Sequence, residues 1–101
     1  MSLVHANKES FDKIITQKAV LIDFWAPWCM PCQMLTPILE DLADEIPELL
    51  IAKINVDDDP ELAMKYHINS IPALLYFENG ILKNQSLGYM EKEQIKLKFN
   101  L

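Results

Sequence analysis

The stretch VLIDFWAPWCMPC, residues 20–32, contains both cysteines of the chain and predicts how the centre of the fold is built. Its first six residues form an apolar run that only Asp23 interrupts, which is typical of a strand covered on both faces of a sheet. Apolar residues then recur at helical spacing and predict a helix from about Cys32 to Ile46, with a bend at Pro37. The two cysteines therefore lie where a buried strand passes into a helix.

The rest of the chain divides into further short strands and helices. Asn7 is predicted to cap the first helix, and the pair Asn79-Gly80 predicts a tight hairpin. The acids at 57–59 lack the alternating ligands and the turn glycine of a calcium loop, so they predict a helix start, capped by an aspartate and with Pro60 in its first position. The predicted strands cover residues 3–6, 19–25, 49–56, 73–78 and 81–87, and the predicted helices cover residues 8–17, 32–46, 60–67 and 91–99.

This order of elements, β-α-β-α-β-α-β-β-α, predicts the fold class. Strands that alternate with helices favour parallel strand pairs with helices on both faces of the sheet, and the hairpin adds an antiparallel edge. We expect one α/β domain over residues 1–101, built as a three-layer sandwich around a mixed central sheet.

The composition limits the classes of function. The 101-residue chain has a formal net charge of −6 and an isoelectric point near 4.7, whereas binding to nucleic acid or to anionic membranes rewards a positive surface. The sequence has no apolar run of the roughly 18 residues that a spanning helix needs, and its start lacks the basic and apolar regions of a signal peptide. We therefore expect a cytoplasmic protein that binds neither nucleic acid nor membrane, in a compartment where structural disulfides are rare.

The spacing of Cys29 and Cys32 admits three interpretations. A structural disulfide would close a very short loop and stabilise the fold by about 2 kcal/mol, less than a longer loop would. A zinc site would need two further ligands, or one ligand and a water, but His5 and His67 are distant in sequence from the cysteines and from each other. A reactive dithiol is favoured over a metal site, because a C-x-x-C motif is most informative where it follows a strand and opens a helix.

Position gives the two thiols different roles. Cys29 is predicted at the helix start, where unpaired backbone N–H groups and the helix dipole favour a thiolate, so it is the predicted nucleophile. Cys32 lies one turn further in and is predicted to resolve the mixed disulfide that Cys29 forms. Asp23 is the candidate proton acceptor for Cys32, because its apolar surroundings disfavour the charged carboxylate and raise its pKa. The alternative is a buried aspartate that only hydrogen-bonds the backbone.

The chain resembles the thioredoxin family from about Ser10 to its end. The resemblance rests on the segments VLIDFWAPWCMPC, TPILEDLADE, IAKINVDDDP, SIPALLYFENG and LGYMEKEQI. It implies a cytosolic protein that reduces disulfides in other proteins and needs no cofactor beyond its Cys29–Cys32 redox pair. It also implies re-reduction by a flavin-containing thioredoxin reductase that uses NADPH, and we expect the protein to be a monomer.

The resemblance further implies roles for individual residues. Asp23 matches the buried acid of the family, and Lys53 matches its lysine partner on the neighbouring strand. Pro72 matches the proline of a cis peptide bond that lies against the disulfide, and the backbone of Ile71 is expected to pair with bound substrate. The expected substrate-binding residues flank the cysteines or line the groove beside them: Trp28, Met30, Pro31, Ile71, Pro72 and Gly88.

Three positions depart from the family pattern: Met30 replaces a glycine, Gln33 replaces a common lysine and Ala73 replaces a common threonine. Neither Met30 nor Gln33 brings a positive charge to the cysteines, which favours a reducing potential over an oxidising one. Two alternative functions are a thiol oxidase or isomerase on the same fold, and a thioredoxin-like binding module with little turnover. The intact pair of cysteines argues against the binding module.

Overall fold

The computed structural model describes residues 3–101 and divides them into five strands and four helices. The strands are β1 (Leu3–His5), β2 (Val20–Trp25), β3 (Leu50–Asn55), β4 (Ala73–Glu78) and β5 (Ile81–Leu87). The helices are α1 (Lys8–Ile14), α2 (Met30–Glu45), α3 (Pro60–Lys65) and α4 (Lys92–Phe99). The predicted order of elements is confirmed over these residues, and none of their helices combines the length and the apolar character needed to cross a membrane.

The strands form one mixed sheet in the order β1-β3-β2-β4-β5. Strand β3 runs parallel to both of its neighbours, whereas β4 is antiparallel to both β2 and β5. The expectation that a helix between two strands makes them parallel is therefore wrong for β4. The register shows how this arises: Ala73, the first residue of β4, pairs with Phe24, which pairs with Ile54 near the end of β3. The connection through the six-residue α3 therefore begins and ends at the same edge of the sheet.

Two hydrophobic layers cover the two faces of this sheet. Alternate residues of β2 point to opposite faces, so Ile22 packs in one layer with Phe11 of α1, and Leu21 packs in the other with Leu35 of α2. The first layer also contains α3, and the second also contains α4. The three-layer sandwich is confirmed, and the same alternation directs Asp23 toward the layer that contains α2.

Helix α2 begins earlier than the apolar pattern predicts. It starts at Met30, because Cys29 is its N-cap residue. Pro31 is tolerated in the first turn, where a backbone N–H has no helical partner. Pro37 lies inside the helix, as the sequence indicates, and the bend there stays a prediction.

Helix α1 has the predicted start and an earlier end. The side chain of Asn7 accepts a hydrogen bond from the backbone N–H of Ser10, and the Ser10 hydroxyl accepts one from the N–H of Asn7. The helix ends three residues before the predicted boundary. There the hydroxyl of Thr16 donates to the carbonyl oxygen of Lys13 and satisfies a group of the last turn.

The aspartate before α3 makes a different contact from the one predicted. Asp59 occupies the N-cap position, but within the described structure its side chain does not bond to its own helix. Its Oδ1 instead accepts a hydrogen bond at 3.1 Å from the backbone N–H of Lys8, the first residue of α1. The ammonium group of Lys8 pairs with Glu61 in the first turn of α3, also at 3.1 Å. Asp59 therefore ties two helices together instead of capping one.

The turn between β4 and β5 confirms the predicted hairpin. Asn79 and Gly80 have φ angles of 51° and 86°, the left-handed conformation that a type I′ hairpin turn requires at both central positions. Strand β5 then lies at the edge of the sheet, antiparallel to β4.

Candidate active site

Cys29 and Cys32 form a disulfide at the N-terminal end of α2. Their Cα atoms are 5.3 Å apart, within the usual range for a disulfide. The Sγ of Cys29 accepts a hydrogen bond from the backbone N–H of Cys32 at 3.2 Å. The exposed fractions are 5% for Cys29 and 1% for Cys32. Cys32 is therefore the more buried thiol, as its position in the sequence predicts.

A cis peptide bond joins Ile71 to Pro72 immediately before β4. The carbonyl oxygen of Ile71 lies 3.9 Å from the Sγ of Cys29, so this segment lies against the disulfide, as the family resemblance implies. The carbonyl oxygen of Pro72 accepts a hydrogen bond from the N–H of Gly88 at 2.7 Å. Gly88 has a φ of +91°, which residues with a Cβ atom rarely adopt. Glycine here lets the chain that leaves β5 approach the cis-proline.

Exposed apolar side chains flank the two cysteines. Trp28 is 69% exposed and Met30 is 67% exposed, and Pro31 is also exposed. The indole N–H of Trp28 donates to a carboxylate oxygen of Asp57 at 3.0 Å. Sequence reasoning missed this role of Asp57, because the two residues are 29 positions apart and no local pattern marks the contact.

A groove of about 140 Å³ opens beside Trp28. Val56 and Ile71 line it and also pack against the cysteines, so a segment bound in the groove would lie next to the disulfide. Its other walls come from α3 and from the chain that follows it: Ala63, Ile68, Asn69 and Ser70. The lining of the groove is mainly apolar, with polar side chains at Asn69 and Ser70.

The three positions that depart from the family pattern have different surroundings. Gln33 donates through its Nε2 to the carbonyl oxygen of Pro27 at 2.7 Å, which ties the loop before the cysteines to the first turn of α2. Ala73 is fully buried at the start of β4. Met30 is uncharged and largely exposed beside the Cys29 sulfur. Of these three side chains, Gln33 is the one that makes a hydrogen bond.

A buried ion pair lies in the layer between the sheet and α2. The Nζ of Lys53 donates to Oδ2 of Asp23 at 2.6 Å, and the two residues are register partners on β3 and β2. Asp23 is completely buried and Lys53 is 3% exposed. The partner of the Asp23 carboxylate is thus a lysine ammonium group and not the backbone.

Burial raises the pKa of Asp23 above its ordinary value, because the charged carboxylate loses its contact with water. The charge and the hydrogen bond of Lys53 act in the opposite direction, as does the charge of His5 more weakly, but they do not cancel the effect of burial. The second carboxylate oxygen, Oδ1, has no hydrogen-bond partner within residues 3–101. Asp23 is therefore a carboxylate with a raised pKa and an oxygen available to a proton.

Thr36 connects this ion pair to the cysteines. Its Oγ1 accepts a hydrogen bond from Lys53 Nζ at 3.1 Å and donates one to the carbonyl oxygen of Cys32 at 3.2 Å. Lys53 Nζ also lies 5.1 Å from the centre of the Trp25 ring. Sequence reasoning missed Thr36, although one signal was present: residues four apart in a helix share a face, so Thr36 faces the same way as Cys32.

These features together set the chemistry of the site. Two thiols can exchange reversibly with a disulfide, a helix N-terminus stabilises negative charge on the outer sulfur, and a carboxylate of raised pKa lies in the same layer as α2. Within residues 3–101, no group of three or more His, Cys, Asp or Glu side chains is arranged to hold a metal ion. The fold and the cysteine pair define a thiol-disulfide oxidoreductase.

Comparison with known proteins identifies the family. The thioredoxin family model matches residues 2–100. A thioredoxin from Buchnera aphidicola is 51% identical over 87 residues, which cover 85% of this chain and 80% of that protein. A thioredoxin from Bacillus subtilis is 43% identical over 97 residues, which cover 95% of this chain and 93% of that protein.

A solved structure agrees with these sequence matches. A mutant thioredoxin from Halobacterium salinarum superposes with a TM-score of 0.87 at 31% identity, covering 99% of this chain and 93% of that one. The chain therefore belongs to the thioredoxin family, and it is a protein-disulfide reductase with a redox-active cysteine pair.

Proposed function

We propose that this reductase works through attack by Cys29 and resolution by Cys32, with Asp23 as proton acceptor. The Cys29 thiolate bonds to one sulfur of the target disulfide, and the other target sulfur leaves as a thiolate that takes a proton from water. The Cys32 thiol then passes its proton to Asp23 by way of a water molecule, and its sulfur attacks Cys29. This breaks the mixed disulfide and releases the second target thiolate. The target gains two electrons, and the protein is left with the Cys29–Cys32 disulfide.

The observation that carries this assignment is the place of Cys29 at the N-cap of α2. A negative charge at a helix N-terminus is stabilised by about 1 kcal/mol, and the thiolate is the form of cysteine that attacks a disulfide. The Cys32 N–H already donates to the Cys29 sulfur in the disulfide state, and the same bond would favour its thiolate. Cys32 lies deeper, so a target disulfide meets Cys29 first.

The role of Asp23 is supported by its burial and by its raised pKa. A general base works best when its pKa is near the working pH, and burial moves the pKa of Asp23 toward that range. Lys53 stabilises the charged form of this carboxylate and so keeps it able to accept a proton. Lys53 therefore assists the resolving step without itself meeting the target.

Asp23→Asn is expected to slow the resolving step about 100-fold at pH 7, since general bases contribute typically 10²–10⁴-fold and an amide accepts no proton. Rapid mixing of the reduced protein with a chromogenic aromatic disulfide separates the two steps. Attack by Cys29 releases one coloured thiol at a rate proportional to reagent concentration, and resolution releases a second at a rate independent of it. The matched control is Asp44→Asn, an exposed aspartate of the same helix as the cysteines. An unchanged second phase in Asp23→Asn would contradict the assignment.

The substrate surface proposed here consists of Trp28, Met30, Pro31, Ile71, Pro72 and Gly88. It would bind an extended target segment, whose backbone pairs with that of Ile71 and whose apolar side chains contact the exposed residues beside Cys29. Its support is the exposure of Trp28 and Met30 and the groove next to Cys29. Met30 adds a polarizable thioether where the family commonly has glycine, which favours apolar target segments.

The reduction potential is expected near the roughly −270 mV of thioredoxin and far from the about −120 mV of a strong oxidant. A strong oxidant needs extra stabilisation of its thiolate, and neither Met30 nor Gln33 carries a charge that could supply it. Equilibration with glutathione buffers measures the potential, and Met30→His is the matched variant, expected to raise it. A wild-type value above about −200 mV, in the range of isomerases and oxidants, would favour the oxidase or isomerase function instead.

The proposed setting is a monomeric electron carrier in the cytoplasm, folded as one domain over residues 1–101. It would take electrons from a flavin-containing thioredoxin reductase that uses NADPH, pass them to disulfides in target proteins, and need no cofactor of its own. Family membership supports the partners, and the net charge of −6 is unfavourable for binding nucleic acid or anionic membranes. The test is whether disulfide reduction by NADPH and a bacterial thioredoxin reductase depends on adding this protein.

A further inference from the structure

Thr36 contacts both Lys53, the partner of the proposed proton acceptor, and the backbone of the resolving cysteine, Cys32. We propose that Thr36 is a positioning residue for the resolving step: its hydroxyl holds the Lys53 ammonium group beside Asp23 and ties that ion pair to the backbone of Cys32. This inference rests on the roles proposed above for Asp23 and Lys53.

The hydrogen-bonding capacity of Lys53 supports the inference. An ammonium group has three donors and no acceptor, and only 3% of Lys53 is exposed, so its donors need partners within the protein. The Asp23 carboxylate takes one donor at 2.6 Å, and the Thr36 hydroxyl takes another at 3.1 Å. The ring of Trp25, 5.1 Å away, offers only a cation–π contact. The Thr36 hydroxyl is therefore the neutral acceptor that holds the Lys53 ammonium group on the side facing α2.

The orientation of the hydroxyl follows from the same rule. Because lysine only donates, the Thr36 oxygen must accept from Lys53 and direct its own hydrogen elsewhere. That hydrogen points to the carbonyl oxygen of Cys32, 3.2 Å away. The result is a directed chain of hydrogen bonds from Lys53 through Thr36 to the residue whose thiol must lose a proton. A valine of nearly the same shape would break both bonds at once.

Three strands and the helix α2 pack around Asp23, and the charged groups on them that act on its pKa are Lys53 and His5. Strand β3 supplies Lys53, and strand β1 supplies His5, which is the register partner of Lys53 and lowers the pKa of Asp23 only weakly. On β4 the register partner of Asp23 is the uncharged Leu74. The helix α2 supplies the Cys32 thiol and the Thr36 hydroxyl. Thr36 is thus the contact that sets how well Lys53 can offset the burial of the carboxylate.

Removing the hydroxyl leaves a buried ammonium donor without its acceptor, so the charged Asp23–Lys53 pair becomes less favourable. In Thr36→Val the midpoint of the pH dependence of resolution is expected to rise by about one pH unit. The free energy of a hydrogen bond to a charged group corresponds to a pKa shift of about that size. Resolution at pH 7 should slow several-fold. The attack by Cys29 should keep its rate, because its sulfur accepts from the Cys32 N–H and not from Thr36.

The experiment follows both colour-releasing phases from pH 5 to pH 9 in wild type, Thr36→Val and Thr36→Ser. A carboxyl carbon NMR titration of Asp23 in the same three proteins reports its protonation directly. The expected result is an upward shift of both midpoints in Thr36→Val and recovery in Thr36→Ser, which restores the hydroxyl. A serine variant that behaves like the valine variant, or a valine variant with unshifted midpoints, overturns the inference.

The double variant Asp23→Asn/Thr36→Val separates this inference from the proposed role of Asp23. If both proposals hold, adding Thr36→Val to Asp23→Asn produces no further slowing of resolution, because the two changes act through the same group. If Asp23→Asn slows resolution but Thr36→Val leaves it unshifted, the acceptor role stands and the Thr36 inference fails. If Asp23→Asn has no effect on resolution, the acceptor role fails, and the positioning role in this step fails with it.

Discussion

Cys32→Ser is expected to leave the protein covalently attached to its targets through Cys29. Cys29, the proposed nucleophile at the N-cap of α2, stays intact in this variant, so the mixed disulfide should still form. Serine is not a nucleophile toward sulfur here, so the bond to the target is not resolved and catalytic turnover is lost. Mass spectrometry after incubation of the reduced variant with a disulfide-bonded peptide should show one peptide thiol added per protein chain.

The matched variant is Cys29→Ser, in which the only remaining thiol is the more buried one. It is expected to form almost no adduct under the same conditions, and its catalytic turnover should also be lost. Adducts that accumulate on Cys32 in this variant, and not on Cys29 in the other, would reverse the two roles.

Lys53→Met is expected to destabilise the fold by about 3–5 kcal/mol at pH 8, because removing one partner of a buried ion pair leaves the other charge buried alone. Methionine keeps the length of the apolar stem, so the loss reports the charge more than the packing. The effect should shrink as the pH falls and Asp23 takes up a proton. Urea unfolding of the disulfide forms of wild type and variant, at pH 8 and at pH 4, measures the difference.

The direction in which stability changes with pH follows from the raised pKa of Asp23. A group whose pKa is higher in the folded state than in the unfolded state stabilises the fold fully at any pH below its unfolded-state pKa, about 3.9 for aspartate. This stabilisation is lost as the pH rises through the folded-state pKa. Asp23→Asn removes the ionising group but keeps an amide oxygen that can accept from Lys53 Nζ, so this variant is expected to be more stable than wild type at pH 8 and to lose that advantage toward pH 4. Lys53→Met and Asp23→Asn should therefore change stability in opposite directions at pH 8. Two variants that shift the urea midpoint the same way, equally at both pH values, would contradict this account.

The sequence was sufficient for features that depend on neighbouring residues. The order of strands and helices follows from local periodicity, and the hairpin follows from Asn79-Gly80. The cap at Asn7 and the location of Cys29 at a helix start also follow from patterns a few residues long. The Asp23–Lys53 pair came from the family resemblance, because nothing local indicates that two strands 30 residues apart are neighbours.

Contacts between distant segments were the part that the sequence did not predict. The bonds Trp28–Asp57, Lys53–Thr36 and Lys8–Asp59 join residues 29, 17 and 51 positions apart. Which acceptor meets which donor in these three bonds depends on how helices and strands pack. The secondary-structure propensities of single residues do not predict that packing. The antiparallel direction of β4 has the same origin, since it depends on where the connection through α3 returns the chain to the sheet.

The acidic segment 57–59 has a consequence for how the molecule opens. Asp57 holds the indole of Trp28 beside the cysteines, and Asp59, two residues later, holds the first amide of α1. Helix α1 packs on the face of the sheet opposite to α2, yet both anchors belong to one short turn. Proteins open locally in cooperative units, so we expect the N-terminal helix and the tryptophan beside the redox pair to open together through this turn. A change that frees α1 is therefore expected to loosen the surface proposed to bind the target.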